Sequence, residues 1–266
     1  MNMSKIRHRR KYICLGVAFM AIAFYGVAQG AEKAPTPKTC DAMDRPCLLD
    51  ILRQSADGID NVSWRDQTYR ELAKTLAFDG QDDAAIALID KIQTPDTQAM
   101  TIRGIGMTAA PRRLSGAARD ELFTKQRARA EKIADPPSCA IALTCIAMGQ
   151  AFAGDDEGSW KTAGEMKNDA LRHKAFGETA EIQAERGDIA AALKSVRFID
   201  TDSFRNKAYF NVSKIMADRK RFPDALAAAA AITNPYKRAA AIQYILDIQK
   251  PREAIADPKA AKGAAE

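Results

Sequence analysis

The sequence predicts an all-α chain, an α-solenoid of five to six helical hairpins of 33 residues each. Three observations predict it. Ile133, Met166, Ile199 and Ile232 follow one another at intervals of 33, and Ile59 precedes Ile92 by the same interval; such a period is the signature of a repeat architecture. Within each unit, apolar side chains recur at helical offsets. Between two helical stretches, Gly154-Asp155 and Gly187-Asp188 repeat one turn at the same spacing.

The chain opens with Lys5, Arg7, Arg9, Arg10 and Lys11, then the apolar run Ile13 to Ala28, then Ala28-Gln29-Gly30. Basic, apolar, then small-x-small is a secretory signal peptide, placed at residues 1–30. The alternative is an uncleaved inner-membrane anchor. Sixteen residues at ~1.5 Å each reach roughly 24 Å, short of the roughly 30 Å hydrocarbon core. Cleavage predicts a periplasmic or secreted protein with no stable membrane insertion. The same five cations account for the basic balance: 40 basic residues fall to 35 without them, against 34 acidic. A near-neutral body speaks against a nucleic-acid partner.

Residues 31–46 read as a tether. An exported chain meets an oxidising compartment, where the four remaining cysteines, Cys40, Cys47, Cys139 and Cys145, suggest disulfides. Cys40 lies in a loop and Cys47 follows Pro46, a good first helical residue, so a short loop closes between them. Cys139 and Cys145 are harder to join. On one regular helix their Cα atoms stand about 10 Å apart, beyond the ~7 Å limit. They bridge if the turn at Cys139 is irregular and stay reduced if it is not.

The solenoid is placed at residues 47–250, with units starting at 59, 92, 133, 166, 199 and 232. CLLDILRQS, Cys47 to Ser55, reads as a lone second helix ahead of the first unit. Each unit opens on a turn-rich segment, from IDNVSWR at 59 to ITNPYKR at 232, whose Asp, Asn, Ser or Pro residues start a helix. Ten residues after each start comes a large side chain: Tyr69, Ile102, Leu143, Phe176, Tyr209 and Ile242. Eighteen after it, the first five units have alanine: Ala77, Ala110, Ala151, Ala184 and Ala217. Glycine then ends the first helix, and Gly187 is matched by Arg221 in the next unit. Ala85-Ile86, Ser159-Trp160, Ala192-Leu193 and Ala225-Leu226 mark a shorter second helix. The second unit carries an eight-residue insertion, since 41 residues separate Ile92 from Ile133. Tyr236 to Gln249 reads as a lone first helix, and residues 251–266, rich in Ala and Lys, as a disordered tail.

Arg186-Gly187-Asp188 spells a tripeptide known from cell-adhesion ligands. Its glycine and aspartate recur as Gly154-Asp155, with Ala153 in place of Arg186. The part of the pattern that repeats is therefore a turn and a helix cap, and chance placement accounts for the arginine.

These features resemble the tetratricopeptide repeat. Phe176, Thr179-Ala180, Gly187-Asp188, Ala192-Leu193 and Val196 fall where that family has its large residue, its large-small pair, its Gly-Asp turn, its Ala-Leu pair and its second-helix aromatic. The likeness covers Ile59 to Gln249, best in the units at 166 and 199 and weakest at 92. The period is 33 rather than 34, and Sel1-like repeats share the pattern. The resemblance implies a right-handed superhelix whose first helices line a concave groove. Positions matching that groove are Arg70 and Lys74, then Met100, Arg103 and Met107, then Ile141, Thr144 and Met148. Adaptable methionines beside cations suit an extended peptide with an acidic group.

No residue is assigned to catalysis, to a cofactor or to a metal. Only His173 remains beyond the signal segment, and the reading is that it packs or lies at the surface. Nucleophile elbow, zinc-spaced Cys/His cluster and phosphate-cradling loop are all absent from the sequence, and Gly104-Ile105-Gly106 falls inside a helix, where it favours close packing. The expected function is a non-catalytic periplasmic scaffold or adaptor that binds a peptide or an envelope protein. The alternative of a different class is a cell-envelope enzyme acting on peptidoglycan or polysaccharide through a carboxylate site that no motif marks. In the inserted unit, Arg112, Arg113, Arg119, Lys125, Arg127 and Arg129 form either a solvated helix face or a second partner surface.

Overall fold

The computed structural model describes residues 39–250. The signal peptide expected at 1–30 and the tail expected at 251–266 lie outside the described residues, as does the expected tether up to residue 38. Among the described residues the chain is all-helical, and no helix there is long and apolar enough to cross a membrane. The helices are α1 (Arg45–Asp57), α2 (Val62–Phe78), α3 (Asp82–Ala87), α4 (Pro95–Gly106), α5 (Gly116–Ala130) and α6 (Pro136–Phe152). They continue as α7 (Asp156–Gly164), α8 (Asp169–Glu185), α9 (Ile189–Arg197), α10 (Asp202–Asp218), α11 (Phe222–Ala230) and α12 (Pro235–Gln249). A 3-10 turn, Leu88–Lys91, extends α3.

Helices start where the sequence supplies a cap. Asn61, Asp135, Asn168 and Asn234 accept hydrogen bonds from the amides of Trp64, Ser138, Leu171 and Lys237, satisfying donors the helix itself leaves free. Asp155 and Asp188 do the same for α7 and α9. The left-handed residue between paired helices is Gly80, Gly154 or Gly187, with φ of 81°, 80° and 86°. In the next pair that position is Lys220, φ 63°, and not Arg221, so the sequence match to Gly187 is displaced by one residue. Arg221 instead holds the N-cap position of α11.

Packing follows the predicted stripe on four of the six first helices, while Leu143 is half-buried and Ile242 exposed. Along α2, α4, α6, α8, α10 and α12 each helix contacts the next, while α3, α7, α9 and α11 fold back on the helix before them. Tyr69, Ile102, Phe176 and Tyr209 are buried between them, each contributing roughly 1.5–3 kcal/mol for an apolar side chain of this size. Ala77, Ala151, Ala184 and Ala217 have no exposed surface, which lets neighbouring helices approach closely. Buried side chains form two clusters that meet on α6, where Leu143 packs against both. Asp66 accepts from the amides of Gln93 and Thr94 at 3.1 and 2.8 Å, and Asn206 accepts from Thr233 at 2.8 Å. These two buried side chains pin the loop that launches the next first helix.

The inserted unit departs from the pattern. α4 has 12 residues against 17 in α8 and α10, while α5 has 15 against 9 in α9 and α11. Ala110 therefore lies beyond the end of α4 and is only half-buried, unlike its four counterparts. A Cβ on Gly149 would stand 3.4 Å from the Gly106 Cα and 3.0 Å from the Phe123 ring. Two glycines thus make the notch into which α5 sets its aromatic side chain.

Cys40 and Cys47 are joined by a disulfide with Cα atoms 5.8 Å apart. Cys139 and Cys145 are free, which corrects their candidacy as a bridge. Both sit on α6, which is regular from Pro136 onward, so six residues separate them by ~9 Å along the axis and by about two-thirds of a turn around it.

Candidate peptide groove

Arg70 and Lys74 lie on α2, Met100 and Arg103 on α4, Met107 at the end of α4, and Ile141, Thr144 and Met148 on α6. Contacts of α4 with both α2 and α6 bring the three groups side by side. Seven of the eight are partly exposed; Thr144 is buried, and its hydroxyl donates to the Ala140 carbonyl at 3.0 Å. Thr144 is therefore a helix-facing residue and offers nothing to a ligand. Lys74 crosses directly over Gly104, where a Cβ would meet its Cγ at 2.4 Å. That absent side chain is what lets the α2 cation lie against α4.

Glu71 modifies the surroundings of Arg70 and Lys74, and sequence reasoning missed it. It accepts from Arg70 at 3.0 Å and from Lys74 at 2.6 Å. Burial pushes its carboxyl up, but the hydrogen bonds from Lys74 and Arg70 outweigh burial and hold it below the ordinary range. Arg103 makes no ion pair with the described residues. Its charge is felt by the Cys145 thiol, which burial pushes up to about 11 against the opposing pull of Arg103. Glu178 and Lys174 on α8 act on the same thiol, so the face continues from α4 across α6 to α8.

The eight candidates stand 8, 11 and 15 residues after their unit starts, one stripe of a helix. The same offsets lead to Lys174, Gly177 and Glu181 on α8, to Lys207, Phe210 and Lys214 on α10, and to Ala240, Gln243 and Asp247 on α12. None of these nine is buried. Glu181 accepts from Asn211 at 2.6 Å, linking α8 to α10. Lys214 stands 4.6 Å from the ring centre of Tyr244, whose hydroxyl donates to Asp218 at 2.6 Å. Burial and that carboxylate push the Tyr244 phenol up to about 12. The signal for this second half was the repeat offset itself, carried through the last three units.

Five of the six cations of the inserted unit are paired with acidic neighbours, while Arg113 is exposed, with a left-handed backbone. Arg112 grips Asp82 through both terminal nitrogens at 2.6 and 2.9 Å, Lys125 reaches Asp83 at 2.6 Å, and Arg129 reaches Asp90 at 2.7 Å. Arg127 joins Glu131 at 2.9 Å and Glu165 at 2.5 Å, and Arg119 pairs with Asp120 at 2.9 Å. With Arg119 also 3.7 Å from Asp155, the pairs to Asp82, Asp83, Asp90, Asp155 and Glu165 suture α5 and its approach to adjacent helices. Arg186 has the same use: its Nη1 donates to the Ala151 carbonyl at 2.6 Å and to Asp156 at 2.8 Å. Arg112 and Arg186 each stand 30 residues after the acid they hold. That shared spacing was visible in the sequence and corrects the reading of Arg186 as chance.

A cleft of about 660 Å³ opens where α5, α7 and α9 converge, with Asp155, Asp156, Glu157, Asp188, Trp160 and Lys194 in its wall. Each carboxylate there already has a structural duty. Asp155 and Asp188 are helix caps, Asp156 holds Arg186, and Glu157 pairs with Lys194 at 3.2 Å. Trp160 donates to Ser195 at 2.6 Å, Ser195 to Gln183 at 2.5 Å, and Gln183 to Asp156 at 2.8 Å, one continuous chain of polar contacts. His173 is buried against Phe204, ring centres 5.5 Å apart. Among the described residues no group of three His, Cys, Asp or Glu side chains is placed to hold a metal ion. No protein-family model, curated protein or solved structure matches the chain, so the site is defined by its own residues alone.

Proposed function

We propose that the chain is an exported, right-handed α-solenoid of tetratricopeptide-like hairpins that acts as a non-catalytic scaffold or adaptor in the cell envelope. Its ligand is an extended peptide, or a segment of another envelope protein, laid along the face of the first helices. One observation supports this reading: positions at three fixed offsets recur on six successive helices, and all of those named except Thr144 are at least partly exposed. Met100, Met107, Ile141 and Met148 supply adaptable apolar contacts in the first half of that series, and Lys207 and Lys214 supply cations in the second. Arg103 stands among the methionines with its charge unpaired by the described residues, so an acidic group next to apolar side chains is the complement.

The test is cross-linking in intact cells followed by identification of the captured protein, repeated with Arg103→Glu and Met107→Ala. Loss of the same partner in both variants is expected, with affinity of the purified pair about tenfold weaker for Arg103→Glu. Equal capture by the parent and both variants would remove the groove from the reading.

A further inference from the structure

The first and last described helices are incomplete in opposite senses. On α2, α4, α8 and α10 the large side chain of the stripe is buried with the help of the following second helix. α12 has no such helix among the described residues, and its equivalent side chain, Ile242, is 39% exposed. α1 is the converse, a second helix that contacts α2 and has no described first helix before it. Each end lacks what the other end has.

Both ends are also apolar where a stack in water needs a polar cap. Of the eleven exposed large hydrophobic side chains among the described residues, nine lie on or beside α1, α2, α11 and α12. Leu48 on α1 and Trp64 on α2 stand at one end, 43% and 69% exposed. Tyr236 and Leu246 stand with Ile242 at the other, 83% and 52% exposed. Leu246 is the more telling because the equivalent residues Ala73, Ala147, Ala180 and Ser213 are small and buried. The charges are complementary as well. Residues 39–60 carry five aspartates and two arginines, net −3, while residues 231–250 carry Lys237, Arg238 and Lys250 against Asp247, net +2.

We propose that copies of this chain associate head to tail, the apolar face of α12 in one copy receiving the free face of α1 in the next. The proposal rests on the stacked-hairpin reading and adds a partner to it: a second copy, met through unlike surfaces. The contact is heterologous, so it propagates into a filament or closes into a ring. Opposed net charge orients the approach and makes the association weaken as salt is raised.

Sedimentation velocity of the full chain over a wide concentration range tests this, together with Leu48→Arg and Leu246→Glu, each of which places a like charge against the facing end. Average mass is expected to rise with concentration for the parent and to stay monomeric for each variant alone. An equimolar mixture of the two variants retains one intact pair of faces and is expected to form dimers and stop there. A parent that stays monomeric overturns the proposal, and so does a monomeric mixture. Continued association of Leu48→Arg alone also overturns it, because two α12 faces would then be meeting. If removal of residues 251–266 turns a monomeric parent into an associating one, the chain's own C-terminal segment is the occupant and the second copy is not. Partner capture by the monomeric Leu246→Glu variant keeps the two readings apart, since the groove survives there even if association fails.

Discussion

At the residue scale, two side chains fall short of a stability optimum and a third is already at it. Lys220 occupies the left-handed position that Gly80, Gly154 and Gly187 fill elsewhere. A Cβ in that conformation costs about 1 kcal/mol. Lys220→Gly is therefore expected to raise the denaturation midpoint by a matching amount, and an unchanged or lower midpoint would contradict it. Gln126 on α5 is fully buried, and neither its amide oxygen nor its nitrogen has a hydrogen-bond partner. Gln126→Met keeps the volume and removes two unmet polar atoms, so unfolding in urea should show a gain of about 1–2 kcal/mol. In the opposite direction, Ala184→Leu pushes an extra side chain into a site with no exposed surface and should cost roughly 1–3 kcal/mol. Alanine positions such as this one were legible in the sequence because they repeat. Gln126 was not, because it sits in the one unit whose length breaks the repeat.

Elements are fastened to one another by polar contacts as well as by the apolar stripe. Tyr69 on α2 donates to Asp57 at the end of α1, and burial together with that carboxylate pushes its phenol from 10.0 up to about 12. A raised value means the neutral phenol is the form the fold stabilises. Its contribution is full below pH 10, the unfolded value, and is lost as pH climbs through about 12. The stability difference between the parent and Tyr69→Phe should therefore be constant in neutral solution and shrink between those two limits. A difference that persists unchanged at the alkaline end would show that the hydrogen bond is not its source. Helix boundaries were legible because Asn61, Asp135, Asn168 and Asn234 announce them chemically. The Arg112 and Arg186 clamps were harder to see, since each joins residues 30 apart on different elements.

For the whole molecule, a helix packed between two neighbours is held better than one packed on a single side. α6 and α8 each contact first helices before and after them, whereas α1 contacts α2 and α12 contacts α10 and α11. Amide hydrogen exchange should be slowest through α6 and α8 and fastest in α1 and α12, and uniform protection would argue against this gradient. Association of copies through the end faces would slow exchange at α1 and α12 selectively as concentration rises. By itself the sequence determined the helical class, the long-then-short pairing of helices outside the inserted unit, their caps and the Cys40–Cys47 bridge. All of these depend on residues near one another along the chain or repeated at a fixed interval. Only the tertiary structure decided that Thr144 turns inward, that Glu71 neutralises the two α2 cations, and that five of the six basic residues of the inserted unit pair with acidic neighbours. It also decided that Cys139 and Cys145 stay apart. Those outcomes depend on which side of a helix meets which side of another, and a period of 33 residues specifies the spacing of helices without specifying the partners of each side chain.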